Sequence, residues 1–382
     1  MRRKDLFAEI RPYTDQELPY AINRILVNQG FISSLANFLP GTSLPAVVKR
    51  IRKIKTCHEM QKEIFAPMVY AFIQRSIDKL TYGGFEKLDK EKSYLFIANH
   101  RDIILDSALL QIHLVENGLQ TTRSAIGDNL LMAPIYTDLA KICNMFTVIR
   151  ANTSRTMLIN STLLSEYIRM SICKDKKSVW IAQRNGRTKD GLDKTQQGVL
   201  KMLYSSEKTD IFQSLKKLNI VPVTISYEFE PCDRMKAREV VLTKQNKIYI
   251  KEHNEDYRSI TTGIFSYKGR VHLEFGEPID KFFNEDMHFA SGNEQFQYIA
   301  NLIDEQMYRN YKLFPNNYIA YDIRQNSNQF ADKYTETEKR DFVKHLNRQA
   351  NIEDVSFTKM KKMLLEIYAN PVESFLSLDN KK

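Results

Sequence analysis

The chain has 382 residues, of which 43% are hydrophobic and 27% charged; this is enough apolar material for a full core and excludes a disordered chain. The 56 basic residues exceed the 46 acidic ones and give a formal charge of +10, which favours an anionic partner such as a lipid headgroup, an acidic carrier protein or nucleic acid. The sequence shows no secretory signal and no run near the ~18 apolar residues of a spanning helix. We therefore expect a cytoplasmic protein that meets lipid only from the surface.

Helical periodicity marks the first part of the chain. Between Thr14 and about Arg75 apolar residues recur at helical spacing, and we predict a small helical domain over residues 1–85. Within it, the stretch from Leu44 to Lys55 interleaves apolar and cationic residues. This pattern is typical of a basic helix that rests on anionic lipid, and equally of a solvated helix that packs onto its neighbours.

Short apolar runs alternate with longer helical segments in the middle of the chain. Buried strands are predicted over 94–98, 179–182, 220–226 and 271–275, with helices over 104–115, 156–173 and 196–204. This alternation predicts an α/β fold with a mixed, largely parallel sheet flanked by helices, over residues 86–290. Helical periodicity returns from about Asn293, so residues 291–382 are predicted to form a C-terminal helical extension.

A histidine follows directly on the first predicted strand. His100 would lie where a strand ends and a helix begins, the usual place for reactive groups in open α/β sheets. Histidine can remove a proton near neutral pH, and a carboxylate on its other ring nitrogen fixes the tautomer. Asp102 and Asp106 both follow closely. The segment predicts a general base with an orienting carboxylate, although a helix-capping or core-edge histidine is an equal interpretation of this segment alone.

Other chemistries fit the sequence less well. One histidine with two aspartates in a single loop leaves a metal ligand set incomplete, and the four cysteines have no C-x-x-C spacing. No G-x-S-x-G elbow occurs, which disfavours a serine hydrolase. A basic nucleic-acid-binding protein is a distant alternative, since the cations are spread along the chain without a recognised binding pattern.

Three further segments stand out after His100, and the first two bring polar or cationic side chains to the ends of apolar runs. The first holds a polar turn and an arginine: Gly127, Asp128, Asn129 and Arg150. The second is a loop whose glycines allow close backbone approach and whose cations suit a phosphate: Arg184, Gly186, Arg187 and Lys189. The third holds Pro222 inside an apolar run, which predicts an edge strand, a bulge or a strand start. The first segment also fits an ordinary turn with a surface arginine, and none of the three is decisive by itself.

The order and spacing of the four segments resemble the four-block pattern of the glycerolipid acyltransferases, in their bacterial type. This family contains glycerol-3-phosphate and 1-acylglycerol-3-phosphate acyltransferases. The blocks correspond here to residues 99–106, 127–150, 183–188 and 221–223, and residues 275–279 are similar to a strand end common in that family. The resemblance covers residues 94–279.

The resemblance implies an enzyme that moves a fatty acyl group to a hydroxyl of glycerol-3-phosphate or 1-acylglycerol-3-phosphate in phospholipid synthesis. Acyl-CoA or acyl-ACP would be the co-substrate, with no metal or redox cofactor. His100 would be the general base, and Arg150 and Arg187 would hold the phosphate. The residues implied in substrate binding are Asn99, Arg101, Gly127, Asp128, Asn129, Arg150, Arg184, Gly186, Arg187, Lys189 and Pro222. Acyl carrier protein and an anionic membrane surface are further partners, which would place the enzyme on the inner face of the cell membrane.

Two departures from the family pattern affect the site. The family usually has four residues between its His and Asp, whereas five separate His100 from Asp106. Either the loop bulges by one residue and Asp106 orients the base, which we favour, or Asp102 does so. Asn185 stands where the family generally has glutamate. This leaves open another lipid acceptor, such as a hydroxyacyl-amino acid lipid without phosphate.

Overall fold

One mixed sheet organises the part of the chain that the computed structural model describes, which is residues 6–39, 42–150, 153–246, 248–252, 254–284 and 286–379. The strands are β1 (Ile77–Gly83), β2 (Leu95–Ala98), β3 (Arg123–Gly127), β4 (Met145–Val148), β5 (Val179–Ala182), β6 (Ile220–Tyr227) and β7 (Gly269–Phe275). Their spatial order is β1-β7-β6-β2-β5-β3-β4. Neighbouring strands run parallel except for β6 and β7. The predicted α/β class with a largely parallel sheet is confirmed.

The N-terminal helices pack around a core of their own. They are α1 (Leu18–Val27), α2 (Gln29–Phe38), α3 (Leu44–Lys53), α4 (Cys57–Met60) and α5 (Ala66–Ser76), with a π-helical turn at Gln61–Phe65 between the last two. In α3, Val47 and Ile51 are fully buried in this core, whereas Lys49 and Arg52 are exposed. The apolar face of α3 therefore packs inward and its cationic face is left to solvent.

Helices cover both faces of the sheet. They are α6 (Leu105–Glu116), α7 (Pro134–Ile142), α8 (Ser154–Arg169), α9 (Gln197–Tyr204), α10 (Ile211–Lys216), α11 (Asp233–Asn246) and α12 (Glu255–Phe265). In β2, Leu95 and Ile97 belong to one core cluster and Phe96 and Ala98 to another, because successive strand residues point to opposite faces. Burial on both faces explains why the central strands are continuous apolar runs.

Four C-terminal helices complete the chain: α13 (Gly292–Asn310), α14 (Pro315–Gln325), α15 (Glu336–Ala350) and α16 (Phe357–Leu376). Buried residues of α13 join the core cluster beneath β2 and β5. Helices α14, α15 and α16 share a separate core cluster with α11. None of the helices within the described ranges is long and apolar enough to cross a membrane.

The sheet begins earlier than the sequence predicts. Strand β1 lies within residues 1–85, which were predicted to be helical, and it pairs with β7 at the edge of the sheet. Most of its residues are partly or fully exposed, so it lacks the buried apolar run that marks the central strands. The division into three domains at residues 85 and 290 stays a prediction.

Pro222 lies in an interior strand, between β2 and β7, so the edge-strand interpretation is wrong. The carbonyl oxygen of Pro222 accepts the N–H of Gly276 at 2.8 Å. Because the nitrogen and carbonyl of one strand residue face the same neighbour, the Pro222 nitrogen faces the β7 side as well. Pairing of β6 with β7 begins only at Val223 and Phe275. Pro222 thus accepts one hydrogen bond and donates none at the position where this pairing ends, near the start of β6. Pro222 is buried within the sheet, which does not fit the predicted contact with substrate.

Candidate active site

The candidate site lies at the carboxyl edge of the parallel strands. The residues that follow or end these strands are His100 after β2, Gly127 in β3, Arg150 after β4, Arg184 after β5 and Tyr227 in β6. Parallel neighbours place these ends along one edge of the sheet. The four sequence segments are therefore brought to the same side of the fold.

His100 and Asp106 form a hydrogen-bonded pair. The Nδ1 atom of His100 lies 2.9 Å from Oδ2 of Asp106, and 15% of the His100 side chain is exposed. Within the described ranges no hydrogen bond reaches Nε2 of His100. The ring also meets Trp180 edge to face, with centroids 5.8 Å apart. A histidine fixed at one nitrogen and open at the other is the arrangement that a general base needs.

Asp106 is buried and held by hydrogen bonds on both carboxylate oxygens. Oδ2 also accepts the backbone N–H groups of Arg101 at 2.6 Å and Asp102 at 2.9 Å. Oδ1 accepts the hydroxyl of Tyr227 at 2.8 Å. Sequence analysis missed Tyr227. Its signal is a polar hydroxyl at the end of a buried run, on the strand next to β2.

Asp102 serves the local fold and does not contact the His100 ring. Its Oδ1 accepts the N–H groups of Ile104 at 2.9 Å and Leu105 at 2.8 Å, so it satisfies donors at the start of α6. Burial raises the pKa of Asp102, and the charge of Asp106 adds to this effect. The five-residue spacing is accommodated by this bend, and Asp106 is the aspartate that hydrogen-bonds to the His100 ring.

Asn99 and Arg101 do not fit the substrate contacts that the resemblance implied, because both are buried in structural hydrogen bonds. The Arg101 side chain is 1% exposed, and its guanidinium bonds to Asp193 at 2.5 Å and to Glu230 at 3.1 Å. Asn99 donates to Asp193 and exchanges hydrogen bonds with the backbone of Ile225 on β6. These two residues anchor the loop that carries His100.

The cationic loop after β5 is attached to the His100 loop. The N–H of Thr188 donates to the carbonyl oxygen of His100 at 2.8 Å. Nε of Arg184 and Nη1 of Arg187 are buried without a hydrogen-bond partner. Gly186 has φ +72° and a side chain there would meet no neighbour, so its glycine serves the backbone conformation. Lys189 is paired with Glu239 and is not available to a ligand in this arrangement.

The polar turn after β3 is joined to the arginine after β4. Oδ2 of Asp128 accepts the backbone N–H of Arg150 at 3.0 Å. The Arg150 side chain is 57% exposed, with Nε 4.0 Å from the Asp128 carboxylate. Asn129 donates to Asp256 of α12, and a Cβ atom on Gly127 would lie 2.6 Å from the Asn129 side chain. The turn thus holds the backbone of Arg150, and the Arg150 guanidinium faces solvent.

A second histidine–aspartate pair lies elsewhere and lacks an open nitrogen. Nε2 of His345 is 2.7 Å from Oδ2 of Asp233, which also accepts the hydroxyl of Tyr368. Nδ1 of His345 meets Arg348 at 3.3 Å, so both ring nitrogens are engaged. This pair connects α11, α15 and α16. In the described part of the chain, no group of three or more His, Cys, Asp or Glu side chains is placed to hold a metal ion.

Comparison with known proteins identifies the domain that carries this site. Residues 79–226 match the family model described as Acyltransferase. Among solved structures, the chain is similar to the 1-acyl-sn-glycerophosphate (LPA) acyltransferase, PlsC, from Thermotoga maritima, at 16% identity over 77% of this chain and 95% of that chain. The TM-score is 0.34, which is too loose a superposition to transfer any property. No curated protein matches the sequence. The part of the chain that contains His100 and Asp106 therefore matches the acyltransferase family.

Proposed function

We propose that this acyltransferase moves a fatty acyl group from acyl-CoA or acyl-ACP to a hydroxyl of glycerol-3-phosphate or 1-acylglycerol-3-phosphate, with His100 as general base. The observation that carries the proposal is the hydrogen-bonded pair of His100 and Asp106, next to a loop with two incompletely partnered arginines. The thioester is the co-substrate, and the proposed reaction uses no metal or redox cofactor.

The proposed chemistry starts from the tautomer of His100 that donates from Nδ1 to Asp106. Nε2 then carries the lone pair and takes the proton of the acceptor hydroxyl while its oxygen attacks the thioester carbonyl carbon. Asp106 stabilises the imidazolium that forms. When the tetrahedral intermediate collapses, the carbon–sulfur bond breaks and the thiolate takes the proton from His100. The base is thereby restored, and acyl ester and free thiol leave.

The acceptor phosphate is assigned to the arginines that follow β4 and β5, the two strands on either side of β3. A buried donor without a partner costs about 1–3 kcal/mol, and Nε of Arg184 and Nη1 of Arg187 are two such donors, so both guanidinium groups are incompletely paired within the protein. Arg150 offers an exposed guanidinium at the end of β4. Lys189 is the weakest candidate, because Glu239 already neutralises it.

The lipid acceptor is proposed to reach the site from an anionic membrane surface on the cytoplasmic side. Three successive residues at the start of α8, Met157, Leu158 and Ile159, are each more than half exposed, and the adjacent Arg155 is exposed as well. Helix α8 follows β4, so these residues lie on the side of the sheet where Arg150 is found. Apolar side chains flanked by cations suit contact with anionic lipid.

The function is tested by following free thiol release with acyl-CoA and with acyl-ACP over a panel of acceptors. The panel contains glycerol-3-phosphate, 1-acylglycerol-3-phosphate and a phosphate-free hydroxyacyl-amino acid lipid. We expect turnover only with the phosphate-bearing acceptors and complete loss in His100→Ala, with an unchanged circular dichroism spectrum. Full activity in His100→Ala would refute the proposed base. Preferential turnover of the phosphate-free lipid would instead support the alternative suggested by the uncharged Asn185.

Membrane contact is tested with vesicles that contain anionic phospholipid. We expect the triple variant Met157→Ser, Leu158→Ser and Ile159→Ser to bind vesicles at least tenfold more weakly. Burying one large apolar side chain in lipid contributes about 1.5–3 kcal/mol to the binding free energy. Activity with soluble glycerol-3-phosphate should be unaffected. Val115→Ser, at the far end of α6, is a control that removes another exposed apolar side chain. Equal vesicle binding by all three proteins would contradict the proposed contact.

A further inference from the structure

A tyrosine hydroxyl lies on the far side of the carboxylate that contacts His100. The O–H of Tyr227 donates to Oδ1 of Asp106 at 2.8 Å, and Oδ2 of the same carboxylate lies 2.9 Å from Nδ1 of His100. Tyr227 is 1% exposed and ends β6, whereas Asp106 belongs to the first turn of α6 and His100 to the loop after β2. Three separate elements therefore contribute to one line of hydrogen bonds.

We propose that Tyr227 is a positioning residue for acyl transfer, which holds the Asp106 carboxylate in the orientation that makes His100 an effective base. This inference rests on the proposed role of His100. The backbone N–H groups of Arg101 and Asp102 both bond to Oδ2. Tyr227 supplies the only hydrogen bond that reaches Oδ1 within the described part of the chain. It therefore fixes the rotation of the carboxylate about its Cβ–Cγ bond.

The Tyr227 hydroxyl should also stay protonated, and so remain a hydrogen-bond donor, over the pH range of the assay. Burial raises the pKa of Tyr227 well above its usual value, and the charge of Asp106 raises it further. The other titratable groups that act on Tyr227 are Asp102 and Glu230, and Arg187 and Lys268 act on Asp102 in turn. All of them are retained when only the hydroxyl is removed, so the variant isolates one hydrogen bond.

A purely structural role predicts a different result from a positioning role. Buried tyrosines normally find a partner for their hydroxyl, and loss of that partner alone lowers stability. A positioning role that acts through Asp106 also predicts a change in the basicity of His100. In Tyr227→Phe, Asp106 loses a hydrogen-bond donor, and the Asp106 charge then stabilises the imidazolium more strongly. The apparent pKa of the base in the kcat/KM profile should therefore rise. We expect kcat to fall about tenfold, with KM for thioester and acceptor unchanged.

A second replacement tests the same hydrogen bond in the opposite direction without removing it. Site-specific exchange of Tyr227 for 3-fluorotyrosine makes the hydroxyl a stronger donor and keeps the packing. The apparent pKa of the base should then fall. Tyr94→Phe is the matched control, because Tyr94 is another buried tyrosine and its hydroxyl, among the described residues, bonds only to the backbone of Asp89. It should lower stability and leave the pH–rate profile as in the wild type.

The test combines these variants with His100→Ala and with Asp106→Asn in one thiol-release assay across pH. If Tyr227 acts through Asp106, adding Tyr227→Phe to Asp106→Asn should change the residual rate less than twofold. Wild-type rate and pH profile in both Tyr227 replacements, with His100→Ala inactive, would overturn the positioning role alone. An active His100→Ala would overturn the proposed function itself. An unstable Tyr227→Phe leaves the 3-fluorotyrosine protein to decide, through the direction of its pKa shift.

Discussion

The N–H of Thr188 donates a hydrogen bond to the carbonyl oxygen of His100, at 2.8 Å. This contact joins the loop that carries the proposed base to the loop that carries the proposed phosphate-binding arginines. The Thr188 hydroxyl in turn donates to Asp193, which also pairs with Arg101. The His100 loop and the loop of Arg184 and Arg187 are therefore parts of one hydrogen-bonded unit, so under the proposed function the acceptor's phosphate and hydroxyl would be held at a fixed separation.

The two aspartates after His100 should respond differently to neutralisation. Asp106→Asn removes the charge that stabilises the imidazolium, and kcat should fall by about 10² or more, within the range that a general base contributes. Asp102→Asn keeps an oxygen that can accept the N–H groups of Ile104 and Leu105, so kcat should change by no more than about threefold. Steady-state thiol release measures both. Similar rates for the two variants would argue against Asp106 as the orienting group.

The loop after β5 carries two cations that can be compared directly, Arg187 and Lys189. Arg187→Ala should raise KM for the phosphate-bearing acceptor about tenfold or more, because a charge-assisted hydrogen bond is worth about 1.5–3 kcal/mol. Lys189→Ala should leave that KM near the wild-type value, since Lys189 is paired with Glu239. KM for the acyl thioester serves as the internal reference. An equal rise in acceptor KM for both variants would mean that the loop acts only through its total charge.

Helix α16 packs on the loop after β5, so substitution by alanine should destabilise the protein more at Gly191 than at Gly186. Both have positive φ, but a Cβ atom on Gly191 would lie 2.2 Å from the carbonyl oxygen of Ile367 in α16, whereas one on Gly186 meets nothing. Gly186→Ala should cost about 1 kcal/mol of unfolding free energy from backbone strain alone. Gly191→Ala should cost more, by about 2 kcal/mol. Denaturant unfolding measures both, and equal losses would show that α16 yields at this contact.

Stability should depend on pH through Asp304 of α13, which accepts the N–H of Thr195 at 2.8 Å. Burial raises the pKa of Asp304 to about 6, although the hydrogen bonds from Thr195 and the charge of Lys194 lower it. Between pH of about 4 and 6 the folded state thus binds more protons than the unfolded chain, and the free energy of unfolding falls as pH rises.

The Asp304→Asn side chain carries no charge and can still accept the Thr195 N–H. The variant should therefore not show this fall in unfolding free energy between about pH 4 and 6. Thermal unfolding from pH 4 to 8 should show equal melting temperatures near pH 4 and a higher value for the variant above pH 6. The difference between the two proteins isolates Asp304 from the other titrating groups. Parallel curves across the whole range would contradict the raised pKa.

Much of the fold follows from local patterns in the sequence. The buried strands β2, β5 and β6 lie within one residue of their predicted bounds, because burial on both faces gives continuous apolar runs. Strand β7 lies within two residues of its predicted bounds, and its buried residues alternate with half-buried ones. The position of His100 at a strand end is local information too. Edge strand β1 escaped prediction, since its residues are largely exposed and its place depends on pairing with β7, almost 200 residues away.

The roles of individual site residues were decided by contacts between distant segments. Spacing alone left Asp102 and Asp106 as alternatives, and only the bend at the start of α6 places Asp106 on the His100 ring. The resemblance placed Arg101 among the substrate-binding residues, yet its partners Asp193 and Glu230 lie 92 and 129 residues further along the chain. Sequence determined which residue types reach the carboxyl edge of the sheet. Tertiary structure decided which of them are already paired, because a charge is free for a ligand only where folding brings it no partner.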